Sequence, residues 1–143
     1  MNRILTPLFA LGLLLTACSQ QLPEFDVPAE HAEAVETLTS DNFETLTANG
    51  VTVVEFWAKD CGPCHLTRPR FAKVAADLSR DGLTFGSVDV DAEGAIAFNH
   101  SIRATPTMLI YENGVPVAGR VGIFSAEDLR SLVSEFSETA RES

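Results

Sequence analysis

The chain has 143 residues, of which 45% are hydrophobic, and this length and composition fit one domain of ordinary size. Its 20 acidic residues exceed its 10 basic residues and give a formal charge of −10 at pH 7. Because nucleic-acid-binding domains carry clustered positive charge, the composition argues against a nucleic-acid partner.

The first 17 residues have the pattern of a processing segment. Arg3 provides a short positive region, and residues 4–15 form an apolar run that is too short to span a bilayer comfortably. The run ends in Leu15-Thr16-Ala17-Cys18, which resembles a bacterial lipobox, and this resemblance implies cleavage before Cys18 and lipidation of its thiol. The alternatives are an ordinary signal peptide with a free Cys18 or an uncleaved anchor. Since a free thiol would exchange with a nearby reactive pair in an oxidising compartment, we predict a lipoprotein-type signal peptide at 1–17.

Residues 18–34 are predicted to be an acidic tether. The segment carries Pro23 and Pro28, and between Glu24 and Glu44 there are seven acidic residues and no Lys or Arg. Such a segment is most simply a solvated, self-repelling linker that extends away from an anionic membrane.

From residue 35 onward, predicted strands and helices alternate. A β-branched and aromatic run predicts a buried strand at 51–57, and Asn113-Gly114 between two apolar runs predicts a hairpin. Ser125 and Asp128 predict the capped start of a last helix. The chain as a whole is predicted to have strands at 35–38, 51–57, 83–90, 108–111 and 115–121, and helices at 42–48, 62–79, 92–100 and from 125. The fold class is therefore α/β, a central mixed sheet flanked by helices in one domain at 35–143.

Cys61 and Cys64 form the C-x-x-C pattern of a redox or metal site. They follow the predicted buried strand and enter a predicted helix, which places Cys61 at a helix N-terminus. Unpaired backbone N–H groups and the positive end of the helix dipole favour a thiolate there. We therefore predict Cys61 as the nucleophile and Cys64, one turn further in and more shielded, as the resolving thiol.

Two other functions share these residues. The sequence from Cys61 to His65 also fits the C-x-x-C-H attachment pattern of c-type haem, although a strand and a long helix on either side leave little space for a macrocycle. Zinc binding by Cys61, Cys64 and His65 lacks the second ligand pair that structural sites usually have. We therefore expect neither a cofactor nor a metal.

Several motifs in a shared order resemble the thioredoxin family over residues 35–140. They are Val54-Glu55-Phe56-Trp57-Ala58, Cys61-Gly62-Pro63-Cys64, Pro69, Arg103-Ala104-Thr105-Pro106-Thr107, Asn113-Gly114 and Val121-Gly122. The resemblance implies the thioredoxin fold, a redox-active disulfide between Cys61 and Cys64, and a cis peptide bond at Pro106. It also implies a substrate groove bordered by Trp57, Thr105, Pro106 and Gly122.

Three positions depart from the family's pattern. Asp60 stands where thioredoxins commonly have tryptophan, and we expect it to cap the following helix, to border the substrate groove and to disfavour the Cys61 thiolate. Glu55 occupies the position of a buried aspartate that assists proton transfer, and we predict a buried carboxyl with a raised pKa that accepts the Cys64 proton. The family's usual lysine on the next strand is Ser87 here.

Four basic residues lie close to the cysteine pair in the sequence: Lys59, Arg68, Arg70 and Lys73. Such a run is usually a solvated helix face. The alternative is a positive collar that steers acidic partner surfaces toward the site.

Together these features predict a monomeric, membrane-tethered thiol-disulfide oxidoreductase in the periplasm or at the cell exterior. The Gly-Pro dipeptide between the cysteines resembles that of reducing thioredoxins, so we predict reduction of exported protein disulfides, with electrons from a membrane-embedded thiol transporter. In a Gram-negative cell, Ser19 after the lipidated cysteine favours the outer membrane. The alternative is a redox-independent binding or chaperone module, against which the intact cysteine pair argues.

Overall fold

The computed structural model describes residues 27–80 and 82–139. In these ranges five strands form one sheet in the order β1-β3-β2-β4-β5. The strands are β1 (Glu36–Thr37), β2 (Val51–Trp57), β3 (Leu83–Asp89), β4 (Thr107–Glu112) and β5 (Val115–Val121). The helices are α1 (Ala29–Ala32), α2 (Phe43–Thr47), α3 (Gly62–Leu78), α4 (Gly94–Asn99) and α5 (Ala126–Thr139). From β1 onward this is the predicted order of elements.

The sheet is mixed, as predicted, and β2 is its central strand. β2 runs parallel to β3 and antiparallel to β4. Every residue of β2 from Val51 to Phe56 is buried, because the strand has neighbours on both edges and helices over both faces. A strand that is buried on both faces has apolar residues at successive positions. This explains why the alternation of apolar and polar residues is weak in this segment.

Two hydrophobic cores lie on opposite faces of the sheet. The larger joins α3 and α5 to the sheet through residues such as Val53, Phe71 and Leu129. The smaller joins α2 and α4 to the other face through residues such as Phe43, Phe56 and Ile96. Alternate residues of β2 therefore serve different cores, and Glu55 shares the α3 side with Val53.

Two predicted local signals are confirmed by backbone geometry. Asn113 and Gly114 both have positive φ, 49° and 83°, as a type I′ hairpin between β4 and β5 requires. Ser125 Oγ accepts from the Asp128 N–H, while an Asp128 carboxylate oxygen accepts from the Ser125 N–H, each at 3.0 Å. This reciprocal pair is the capping box that starts α5.

The amino-terminal part contains an element that the sequence patterns did not predict. The short helix α1 lies within the predicted tether, and Ala34 and Val35 after it pack against the larger core. Cys18, the predicted signal peptide and the start of the predicted tether lie outside the described residues. No helix in the described part of the chain combines the length and apolar content needed to cross a bilayer.

Candidate active site

The two cysteines of the C-x-x-C motif form a disulfide at the amino end of α3. The S–S distance is 2.08 Å. Cys61 is the N-cap residue of α3 and is 8% exposed, whereas Cys64 lies inside the first turn and is completely buried. The two sulfurs therefore differ in access, and an incoming group reaches Cys61 first.

Asp60 does not cap α3, so this prediction was wrong. The helix begins at Gly62, which makes Cys61 the N-cap residue, and the Cys61 sulfur accepts from the Cys64 N–H at 3.2 Å. Asp60 is exposed one residue earlier. It lines a shallow pocket at the disulfide together with Cys61, Asp91 and Thr105.

The predicted cis-proline lies with two of the predicted groove residues. The Thr105–Pro106 peptide bond is cis. The Gly122 N–H donates to the Pro106 carbonyl oxygen at 2.8 Å, so the end of β5 is held against this bond. Thr105 also lines the pocket at the disulfide. Trp57, by contrast, lines a separate cavity on the α3 side of the sheet, together with Glu55.

Glu55 is a carboxyl placed in the centre of the sheet. It is 2% exposed and lies in register with Ser87 of β3 and Met108 of β4. Burial raises its pKa to about 8, while the charge of Arg68 and a hydrogen bond from Thr67 act in the opposite direction. The prediction of a buried carboxyl with a raised pKa is confirmed.

Thr67 connects this carboxyl to the turn that carries Cys64. Its buried hydroxyl lies 3.4 Å from Glu55 Oε1 and 3.3 Å from the Cys64 carbonyl oxygen. No predicted motif included Thr67. Its spacing from Cys64 could have indicated it, because a residue three positions after Cys64 lies on the same face of a helix.

The basic residues near the cysteines separate into different contacts. The Arg68 guanidinium carbon lies 3.7 Å from the centroid of the Trp57 ring. Arg70 donates to the Phe124 carbonyl oxygen at 3.1 Å, and Lys73 pairs with Asp77 at 3.4 Å. These three side chains have separate partners, and none of the three lines the pocket at the disulfide.

Metal binding finds no further support in the geometry. Within the described ranges, no group of three or more His, Cys, Asp or Glu side chains is arranged to hold a metal ion.

Comparison with known proteins gives a consistent result. The family model for thioredoxin matches residues 34–135. Thioredoxin of Chlamydia pneumoniae is 31% identical over 101 residues, which is 71% of this chain and 97% of that protein. Thioredoxin of Coprinus comatus is 35% identical over 96 residues, 66% of this chain and 90% of that protein. A crystal structure of Malassezia sympodialis thioredoxin matches with a TM-score of 0.65 at 33% identity, covering 72% of this chain and 90% of that one.

The residues matched by the family model include the whole sheet, the cysteine pair and the cis-proline, and they make up most of the chain. The described fold is the thioredoxin fold, and the disulfide is the redox centre that such proteins use on protein substrates. The chain therefore belongs to the thioredoxin family of thiol-disulfide oxidoreductases.

Proposed function

We propose that this protein reduces disulfides of exported proteins while anchored to a membrane through a lipidated Cys18. The observation that carries the redox activity is the Cys61–Cys64 disulfide, in which Cys61 is 8% exposed and lines a surface pocket while Cys64 is completely buried. The anchor is supported by the lipobox-like run that ends at Cys18 and by the acidic segment that follows it.

The first chemical step joins the protein to its substrate. In the reduced protein, the Cys61 thiolate attacks one sulfur of a substrate disulfide. A bond forms between Cys61 and that sulfur, the substrate S–S bond breaks, and the departing substrate thiolate takes a proton from solvent. The amino end of α3 stabilises the attacking thiolate through the helix dipole and through the Cys64 N–H, which donates to the Cys61 sulfur at 3.2 Å.

The second step releases the substrate. The Cys64 thiol gives its proton to the Glu55 carboxylate, and its sulfur attacks the Cys61 sulfur of the mixed disulfide. That disulfide breaks, the second substrate thiolate leaves and is protonated, and the Cys61–Cys64 disulfide seen in the structure is formed. Two electrons have passed from the dithiol to the substrate.

Glu55 is suited to this proton transfer by its environment. A general base works best when its pKa lies near the operating pH, and burial raises the pKa of Glu55 to about 8. Thr67 holds one oxygen of the carboxyl beside the turn that carries Cys64. The proton is thus taken up inside the protein rather than by solvent at the exposed face.

The substrate chain would lie across the pocket at the disulfide. Thr105 and Gly122 flank Pro106, and we expect an extended substrate backbone to pair with Thr105 while its disulfide lies over Cys61. Asp60 borders the same pocket and therefore contributes charge to substrate selection.

The oxidised protein needs a dithiol donor to act again. For a protein anchored outside the cytoplasm we propose a membrane-embedded thiol transporter, which gives up two electrons and two protons to the Cys61–Cys64 disulfide. The anchor and tether would keep the domain within reach of this donor. Ser19 after Cys18 favours the outer membrane where the cell has one.

Two experiments test the proposal. The activity is tested with Cys64→Ser, which should accumulate mixed disulfides between Cys61 and exported proteins, whereas Cys61→Ser with Cys64 intact should trap far fewer. Equal trapping by both variants would contradict the roles assigned to the two sulfurs.

The anchor is tested by membrane fractionation, in which Cys18→Ala should move the protein from the membrane to the soluble fraction.

A further inference from the structure

A cavity of about 210 Å³ lies between the sheet and α3, beside Glu55. Its walls come from β1, β2, β3, α3 and the segment around α1, which contributes Val27 and Ala32. Among the described residues, the charged groups that line it are Glu55 from β2, Arg68 from α3 and Asp89 from β3. The cavity is large enough to hold several water molecules.

The Glu55 side chain lines this cavity, and its two carboxyl oxygens differ in their contacts. Oε1 accepts a hydrogen bond from Thr67, and no described residue donates to Oε2. Within the described part of the chain, however, no buried side-chain oxygen or nitrogen lacks a hydrogen-bond partner. Oε2 is therefore accessible to water in the cavity, which gives the carboxyl a path for its proton that does not pass the disulfide.

Arg68 is fixed at the same cavity. Its guanidinium stacks on Trp57 at 3.7 Å from the ring centroid, and Trp57 lies two residues after Glu55 on β2. A cation over an aromatic face is held electrostatically, so the charge stays at the cavity wall instead of swinging into solvent. The position opposite Glu55 on β3 is the uncharged Ser87. Of the three charged residues that line this cavity, Arg68 is therefore the one with a positive charge.

We propose that Arg68 is a positioning residue for proton transfer at Cys64: held on Trp57, it supplies the positive charge that makes the ionised, proton-accepting form of Glu55 available at neutral pH. Asp89, the other acid at the cavity, acts in the opposite direction, and its carboxylate already accepts from the Asp91 N–H at 2.9 Å. This inference rests on the proposed function, since it assigns Glu55 the role of proton acceptor.

The first test is a titration that needs no turnover. In the oxidised protein, the ¹³C signal of the Glu55 carboxyl is followed against pH in the wild type, Arg68→Met and Arg68→Lys. Methionine keeps an unbranched side chain over Trp57 without the charge, and lysine keeps the charge. We expect the titration midpoint of Glu55 to rise by about one pH unit in Arg68→Met and to stay near the wild-type value in Arg68→Lys.

A matched control removes a different charge from the same helix. Lys73 is exposed and pairs with Asp77, so Lys73→Met should leave the Glu55 midpoint unchanged. The proposal is overturned when Arg68→Met titrates as the wild type does, or when Lys73→Met moves the midpoint as far as Arg68→Met.

A second variant separates charge from packing. Ser87 lines the same cavity from β3, so Ser87→Lys in the Arg68→Met background places a cation on the opposite wall. Return of the Glu55 titration midpoint to its wild-type value supports the proposal, and a midpoint that stays raised contradicts it.

In single-turnover reduction, the resolving step of Arg68→Met at pH 7 should be about tenfold slower than that of the wild type, because the ionised fraction of Glu55 falls about tenfold.

The two hypotheses fail in different ways. A wild-type protein that reduces no disulfide, but whose Glu55 midpoint depends on Arg68, would contradict the proposed function. Wild-type turnover with a Glu55 midpoint that is independent of Arg68 would contradict only the inference.

Discussion

Asp60 places a carboxylate in the pocket that Cys61 lines, and this is the residue-level feature most open to experiment. Asp60 and Asp91 line the same pocket as Cys61. Their negative charges oppose the Cys61 thiolate, while the amino end of α3 favours it. Because Asp60 caps nothing, its charge can be removed without loss of a helix cap.

Asp60→Asn should therefore raise the thiolate fraction of Cys61 at pH 7. Charges that face each other across water interact by up to about 1 kcal/mol, so we expect alkylation of Cys61 by iodoacetamide to become up to about three- to fivefold faster at low salt. The rate is measured on reduced protein carrying Cys64→Ser. Asp41→Asn removes an exposed acid outside the pocket and serves as the control. Equal rates in Asp60→Asn and the wild type would show that this carboxylate does not act on the sulfur.

The residues of the site differ in how far the sequence could reveal them. Glu55 was predictable because apolar neighbours on both sides in a strand imply burial. Asp60 was misassigned as the N-cap because aspartate is a preferred capping residue, whereas a helix that begins at Gly62, as predicted, has Cys61 as its N-cap. Thr67 was missed, and Arg68 was predicted only as part of a solvated helix face or a positive collar, because their contacts are with Glu55 and Trp57, from a different element.

At the scale of elements, α5 offers a direct test of a local signal. Ser125→Ala removes the side-chain half of the capping box and leaves the Asp128 N–H without that acceptor. We expect a loss of about 1 kcal/mol in the free energy of unfolding, measured by urea denaturation. Ser131→Ala, at an exposed position of the same helix, should change it by less than about 0.5 kcal/mol. Similar losses in both variants would assign the effect to the helix rather than to its cap.

Most elements were predictable because each has its own local signal. The hairpin at Asn113-Gly114 needs two residues with positive φ, and the sequence provides residues that accept it. The short helix α1 was not predictable, because four residues are too few for a helical pattern and Pro28 and the acidic composition favoured a linker. Its position depends instead on the packing of Ala34 and Val35 after it.

At the scale of the whole molecule, the order of the strands in the sheet is the feature that local sequence patterns do not predict. The two-residue strand β1 pairs with β3 at the sheet edge, and nothing in its own sequence selects that partner. The sequence patterns therefore predict a mixed sheet but not the order of its strands. This order has a global consequence, because it makes β2 the central strand and therefore buries Glu55.

The burial of Glu55 should make the stability of the whole domain depend on pH. Its pKa is raised from 4.5 to about 8 in the folded protein, so between these values the folded state binds more protons than the unfolded state. The stability that comes from the neutral carboxyl is complete below pH 4.5 and is lost as the pH rises through 8. From pH 5 to pH 9 this loss amounts to about 4 kcal/mol.

Glu55→Gln should remove this dependence, because a buried amide does not ionise. We expect the free energy of unfolding of the oxidised variant to equal that of the wild type near pH 5 within about 1 kcal/mol and to exceed it by several kcal/mol at pH 9. Urea denaturation at pH 5, 7 and 9 measures the difference, and Glu135→Gln, at an exposed position of α5, should follow the wild type. Parallel pH profiles for Glu55→Gln and the wild type would mean that the carboxyl is already ionised in the folded protein. In that case it would be a poorer base than its burial implies, and the resolving step would need another acceptor for the Cys64 proton.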